Sequence, residues 1–231
     1  MKIGILQTGP VPADLVDQFG EYPDFFVRLL SPHGFDFQSW SVVDGVFPDS
    51  VEDADGWLIT GSRHGVYEDH PWMQPLMQFI RDIYAAGRPL VGVCFGHQAI
   101  AQALGGHVEK FAGGWSIGPK VYHFDGPGLT GDKVIHAYHQ DQVITPPEGA
   151  QTIAHNDFCA HAALYYPGHA LSVQPHPEFG DAYTRALIET RGPGVVPDDR
   201  LAEASAKLGT PLDSGDVAAL FARFFRERSI S

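Results

Sequence analysis

Two short stretches carry residue types suited to nucleophilic catalysis. The first is Gly92-Val93-Cys94-Phe95-Gly96, which sets a cysteine where an apolar run, Pro89 to Val93, meets a stretch of helical spacing, Gly96 to Leu104. A side chain on such a turn is forced out at the carboxyl end of a sheet, where open α/β folds bind ligands. Gly92 and Gly96 have no Cβ, so the turn can be tight and the helix can pack close to the strand. The sulfur would also lie at the helix's amino end, where free N–H groups and the dipole favour the thiolate, the form that attacks. An unpaired cysteine is in general equally a small buried hydrophobe. The glycine frame is what turns the reading towards a nucleophile.

The second stretch is Gln174-Pro175-His176-Pro177-Glu178. A cysteine nucleophile needs a base, and the base needs an orienter. His176 follows the apolar run Ala170 to Gln174 through a proline turn, the same strand-end position that Cys94 occupies, so both can reach one crevice. In an extended H-P-E segment, side chains two apart point to the same side. Glu178 can therefore fix the tautomer of His176 and stabilise its charged form.

The elements that must hold these stretches follow from periodicity. Lys2 to Gln7, Phe35 to Trp40 and Asp55 to Thr60 read as strands; Glu21 to Leu30 and Trp72 to Ala86 read as helices with one apolar face. With the Pro89 strand this is a β-α-β-α-β alternation, which implies a parallel sheet with helices on both faces. From Gly106 short β-like runs follow, near Val108 and at Lys120 to Phe124, Val134 to His139, Gln151 to His155 and Phe158 to Tyr165. They predict antiparallel strands flanking the sheet. Ala170 to Gln174 is a further buried strand, and helices are expected at Phe179 to Thr190, Arg200 to Lys207 and Asp216 to Arg226. Nothing reads as a linker or a repeat, so residues 1–231 are expected to form a single domain.

The segments GVCFGHQ (Gly92 to Gln98) and QPHPEF (Gln174 to Phe179) together resemble the class I glutamine amidotransferases, a family with a Cys-His-Glu triad. DGWLITGS at Asp55 to Ser62, GGHV at Gly105 to Val108 and AYHQDQV at Ala137 to Val143 extend the likeness over most of the chain. It is strongest to the amidotransferase domain of GMP synthase and its free-standing relatives, several of which also carry a Gly-Trp segment like Gly114-Trp115.

The resemblance implies a flavodoxin-like, doubly wound, mainly parallel sheet. Cys94 would attack the γ-carboxamide carbon of glutamine to form a glutamyl thioester. His176 would protonate the departing ammonia and then activate water, and Glu178 would orient His176. The oxyanion would sit on backbone N–H groups of Phe95 and of the Gly61-Ser62 turn. Gln98 would help bind glutamine, and His139, Gln140 and Trp115 are further substrate-side candidates, Trp115 balanced between packing and the entrance. No cofactor is expected. Many family members have Gly-Gly-Pro where this chain has Gly61-Ser62-Arg63; the donor survives, since any residue but proline supplies it. Arg63 and His64 then either shape access or recognise an acceptor.

Three functions fit these residues, the first leading and the other two its alternatives. In the first, the chain releases ammonia from glutamine for a synthetase on a separate polypeptide, because no stretch reads as ATP-handling. In the second, it cleaves γ-glutamyl peptides or conjugates alone. In the third, it is a flavodoxin-like cysteine redox sensor or binding module; the H-P-E segment counts against that, since a sensor needs no oriented base.

Composition narrows the partners. A net charge of -13 disfavours nucleic acid and anionic membrane surfaces. The apolar start of MKIGILQTGP is too short for a signal peptide's core, no run approaches a membrane span, and the two cysteines, Cys94 and Cys159, make no disulfide framework. A cytoplasmic protein acting on a small molecule is expected. His136 and His139 are closely spaced but lack companions for a metal set, Cys159 reads as core, and Gly61 to Gly65 lacks the Lys-Ser/Thr ending of a phosphate loop.

Overall fold

The first part of the chain alternates strand and helix. In the computed structural model, which describes residues 1–231, β1 (Lys2–Gln7) leads through a single turn, α1 (Val16–Phe19), to α2 (Tyr22–Leu30). β2 (Asp36–Ser41) and β3 (Gly56–Ile59) precede α3 (Met73–Ala85), and β4 (Leu90–Val93) runs into α4 (Phe95–Ala103). Then come β5 (His107–Lys110), β6 (Ser116–Gly126), β7 (Leu129–His139), β8 (Asp141–Thr145), β9 (Gln151–His155), β10 (Ala163–Tyr166) and β11 (Ala170–Val173). The chain closes with α5 (Asp181–Arg191), α6 (Asp198–Lys207) and α7 (Ser214–Glu227).

Nine of the strands form one sheet in the order β2-β1-β3-β4-β11-β10-β9-β6-β7. From β2 to β11 the strands are parallel, in the 2-1-3-4-5 order of flavodoxin-like folds, whose ligands bind beyond the carboxyl ends near the β1/β3 switch point. From β11 to β7 every pairing is antiparallel. The β region expected beside the sheet therefore mostly extends it, because β10 pairs along the full length of β11; only β5 and β8 stand apart as a two-stranded ribbon. β8 was hidden in the sequence by its polar start, Asp141-Gln142. The run expected from Phe158 begins later, at Ala163, because Asn156 Oδ1 accepts the N–H groups of Phe158 (3.0 Å) and Cys159 (2.7 Å) and bends the chain there.

Successive residues of a strand face opposite sides, and both sides of the parallel half are covered. Ile3, Ile5, Leu58 and Val91 pack under α2 and α7 with Phe26, Leu30, Phe221 and Phe224. Leu6, Trp57 and Ile59 pack under α3 and α4 with Leu76, Ile80, Ala99 and Ile100. No helix is long and apolar enough to cross a membrane.

The β4–α4 junction is packed backbone to backbone. A Cβ on Gly96 would stand 2.4 Å from the carbonyl oxygen of Ile59, and one on Gly92 would stand 2.5 Å from that of Gly96. Both obstacles are backbone, so α4 lies against β3 and β4 only because these positions are glycine. Gly96→Ala should lower stability by about 1–3 kcal/mol through overpacking, read as a reduced urea midpoint with the denaturant slope unchanged. An unshifted midpoint would show that α4 has room to retreat.

Candidate active site

Four strand ends open into one cleft of about 840 Å³, lined among others by Gly61, Ser62, Cys94, Gln98 and His176. Cys94 sits between β4 and α4 with φ 52° and ψ -104°, a left-handed conformation that a residue with a side chain adopts only under constraint. The constraint is visible: its N–H donates to Val173 O at 2.9 Å, and its carbonyl accepts the Gln98 N–H at 3.1 Å as the first bond of α4. The first N–H groups of a helix have no partner within it, so Phe95, the first residue of α4, presents its donor beside the sulfur.

β11 delivers the second component. The N–H of His176 donates to His136 O at 2.7 Å in an isolated bridge, which fixes the segment after the strand. His176 Nδ1 and Glu178 Oε1 are 2.7 Å apart, both side chains almost wholly buried. The aromatic ring of Phe179 lies flat on the imidazole, centroids 4.0 Å apart and planes 6° from parallel. With Nδ1 committed to the carboxylate, Nε2 is left for the cysteine. Gly61 fits between the two: a Cβ there would stand 3.0 Å from His176 Cε1 and 3.7 Å from Cys94 Cβ.

Burial by itself disfavours a charged His176, but the negative charges of Glu178 and Cys94 and their hydrogen bonds outweigh it and hold the imidazole above its ordinary value. Two neighbours go the other way. Burial, reinforced by His139, pushes His97 down to about 3, and its Nδ1 is occupied by Ser172 Oγ at 2.8 Å. Burial and the charge of His176 push His139 down to about 3, and its buried Nε2 has no partner in the protein. Burial pushes the Cys159 thiol up to about 12, as a core thiol should be.

A pair of threonines that the sequence did not single out locks the β1 and β3 ends. Thr8 N–H donates to Thr60 Oγ1 at 3.0 Å, and Thr8 Oγ1 donates to Gly61 O at 3.0 Å. Ser62 Oγ donates to Thr8 O at 2.7 Å, while the Gly61 and Ser62 N–H groups make no hydrogen bond within the chain. Their signal in the sequence was a threonine directly after each of two apolar strands.

The substrate-side candidates divide. Gln98 Nε2 donates to Asp141 O at 2.9 Å and Gln174 Oε1 at 3.1 Å, which leaves only its carbonyl oxygen for a ligand. Gln140 and His139 line the cleft, as does Trp115, which also packs edge-on against Tyr138 at 5.9 Å. Arg63 and His64 line it too. His136 and His139 are not brought together: residues three apart on β7 face opposite sides, His136 Nε2 lying 2.9 Å from Asp181 Oδ1 and His139 Nδ1 3.3 Å from Asp141 O. The residues whose ligating atoms do converge are His64, Glu68 and His70, all within 4.8 Å of one another. The spacing H-x3-E-x-H in residues 64–70 carried that signal.

Comparison with known proteins bears on the family and the fold. The glutamine amidotransferase class-I family model matches residues 39–188. Gamma-glutamyl peptidase 4 of Arabidopsis thaliana is 31% identical over 70% of this chain and 69% of that protein. GMP synthase of Thermus thermophilus is 35% identical over 52% of this chain, but over only 24% of its own. A crystal structure of a glutamine amido transferase from Methylobacillus flagellatus, 20% identical, superposes with a TM-score of 0.76 over 98% of this chain and 93% of that one, so the flavodoxin-like architecture is shared end to end. More than half of the sequence matched by one family model, on a fold of that family, means that the chain belongs to the glutamine amidotransferase class-I family.

Proposed function

We propose that the cleft hydrolyses γ-glutamyl amide bonds through a thioester on Cys94, and that its substrates are γ-glutamyl peptides or conjugates. The size of the cleft carries this reading. About 840 Å³ is near the top of the range of about 300–1,000 Å³ for small-molecule sites, far more than one amino acid fills. Arg63 and Lys110 on its lining form no ion pair within the chain, so two cations are free for a carboxylate on the leaving half. The similarity to gamma-glutamyl peptidase 4 supports the same substrate class.

Each residue has one task in this scheme. The Cys94 thiolate attacks the γ-carbonyl carbon, and the carbonyl π electrons move to oxygen, which the N–H groups of Phe95 and of the Gly61-Ser62 turn receive. The His176 imidazolium gives its proton to the amide nitrogen as the C–N bond breaks, and the amine departs. Neutral His176 then takes a proton from water, the hydroxide attacks the thioester, and glutamate leaves with the thiolate and imidazolium restored. Glu178 holds His176 in one tautomer throughout. The free Nε2 of neutral His139 binds a polar group of the glutamyl half, and Gln98 accepts a hydrogen bond through its remaining oxygen.

The likeness to GMP synthase favours a second reading, in which glutamine is the substrate and ammonia passes to a separate synthetase. Purified protein with glutamine and a panel of γ-glutamyl peptides separates the two. Turnover of the peptides above that of glutamine, abolished by Cys94→Ser, supports the conjugate reading; ammonia from glutamine alone supports the second. Absence of both turnover and thioester with every γ-glutamyl amide would overturn the hydrolytic proposal.

Glu178→Gln should lower kcat/KM by about 10²–10⁴-fold, the range for losing an oriented acid–base. Because the carboxylate raises the His176 pKa, its removal should also move the alkaline limb of the pH profile to lower pH. The stability sign is the same. A group with a raised folded-state pKa contributes fully below the free imidazole value of about 6.5, and that contribution is lost as pH rises through the folded value. Wild type should therefore lose urea resistance on alkalinisation more steeply than Glu178→Gln; parallel curves would show that the pair does not carry the shift.

A further inference from the structure

The rim of the cleft holds a second cluster that the hydrolytic scheme leaves unused. Glu68 Oε2 lies 3.0 Å from His64 Nδ1 and 2.7 Å from His70 Nε2, while Glu68 Oε1 accepts the Gly65 N–H at 3.0 Å. Two imidazole nitrogens are thus turned on one carboxylate oxygen, and the other oxygen is fixed by backbone. The imidazole rings are 4.3 Å apart at 65°, and the Trp72 indole stacks on His70 with planes 9° from parallel.

We propose that His64, Glu68 and His70 form a binding site for a zinc-class divalent cation at the rim of the cleft. Ligands about 2.0–2.1 Å from tetrahedral zinc lie roughly 3.3 Å from one another. The three ligating atoms here fall within 4.8 Å, two of the separations being 2.7 and 3.0 Å, so small side-chain adjustments admit the ion. In each neutral imidazole the single ring proton that now points at the carboxylate moves to the other ring nitrogen, so the nitrogen facing Glu68 offers its lone pair to the cation and no net proton is released. Two nitrogens and one carboxylate suit zinc and its transition-metal neighbours, whereas calcium and magnesium call for all-oxygen sets. Three protein ligands leave one position for water. The Gly65 N–H on Glu68 and the indole on His70 are the outer contacts that orient such ligands.

The site is connected to the chemistry by its neighbours. The His64 N–H donates to Ser62 Oγ at 3.2 Å, and that hydroxyl donates to Thr8 O. Trp72, which packs on both imidazoles, also packs on Phe95 at 5.7 Å. A cation would therefore clamp the segment that carries the Gly61-Ser62 donors and brace the residue that carries the other. This site stands whether or not the cleft cleaves γ-glutamyl bonds.

The test uses the full chain with Cys94→Ser, because a cleft thiolate beside an imidazole binds zinc itself. Metal-free protein is titrated with Zn²⁺ by calorimetry, stoichiometry is checked by metal analysis after dialysis, and Trp72 emission is followed against a Trp72→Phe control. One Zn²⁺ per chain, with affinity reduced at least about 100-fold by His70→Ala and by Glu68→Gln, is expected; loss of an outer contact alone costs about 10–100-fold. His107→Ala, which breaks the exposed His107–Glu109 pair, should leave binding unchanged. Glu68→Gln keeps the side chain's shape, so circular dichroism can verify that it folds. Absence of binding, or binding that survives both His70→Ala and Glu68→Gln, overturns the proposal.

Discussion

A buried imidazole beside a buried carboxylate is tolerable only while the two stay paired. Removing each charge from water costs several kcal/mol, and their attraction offsets this only with close geometry and further hydrogen bonds. His176 and Glu178, at 2.7 Å and with side chains 5% and 1% exposed, meet that condition with little to spare, since Glu178 Oε2 has no partner in the chain. Much nearby structure supports the pair. Prolines on both sides of His176 stiffen the segment, the bridge to β7 fixes its backbone, and Phe179, itself packed among Phe25, Tyr22 and Tyr183, closes one face of the imidazole.

Environment, rather than residue type, divides the histidines. His97, His139 and His176 are all buried, yet only His176 has a carboxylate and a cysteine against it, and it alone is raised. Two neutral imidazoles beside a charged one keep like charges apart, and the neutrality of His139 is partly the work of His176 itself. A site with three positive rings in so little space would be self-defeating.

What could be read from the sequence was whatever depends on neighbours along the chain. The elbow at Cys94 and the H-P-E pair are short-range patterns, and apolar runs marked the parallel strands and the helices to within a few residues. Long-range pairing left no such trace. Nothing within Val134 to His139 says that His136 hands its carbonyl to His176, or that the strands after Gly106 would join the main sheet. Thr8 and Thr60 work through each other across two strands, 52 positions apart, and only their contact reveals the lock. Gln98 had a motif position but not a visible partner; its amide is spent on Asp141 and Gln174. Glu68 and His70 carry no motif of their own; only the fold of the 64–70 turn brings their ligating atoms onto His64.

The adjacency of β4 and β11 bears on how the chain acquires its final form. β4 ends at Val93 and β11 begins at Ala170, so α4 and the six strands β5 to β10 lie between two strands that pair side by side. Closing so long an excursion carries a loop-entropy cost that nearby contacts do not, which places this pairing among the late, slow steps of assembly. Cys94 therefore has no imidazole beside it until the topology is complete. A half-folded or truncated chain therefore carries the thiol of Cys94 without the imidazole that the finished fold sets beside it.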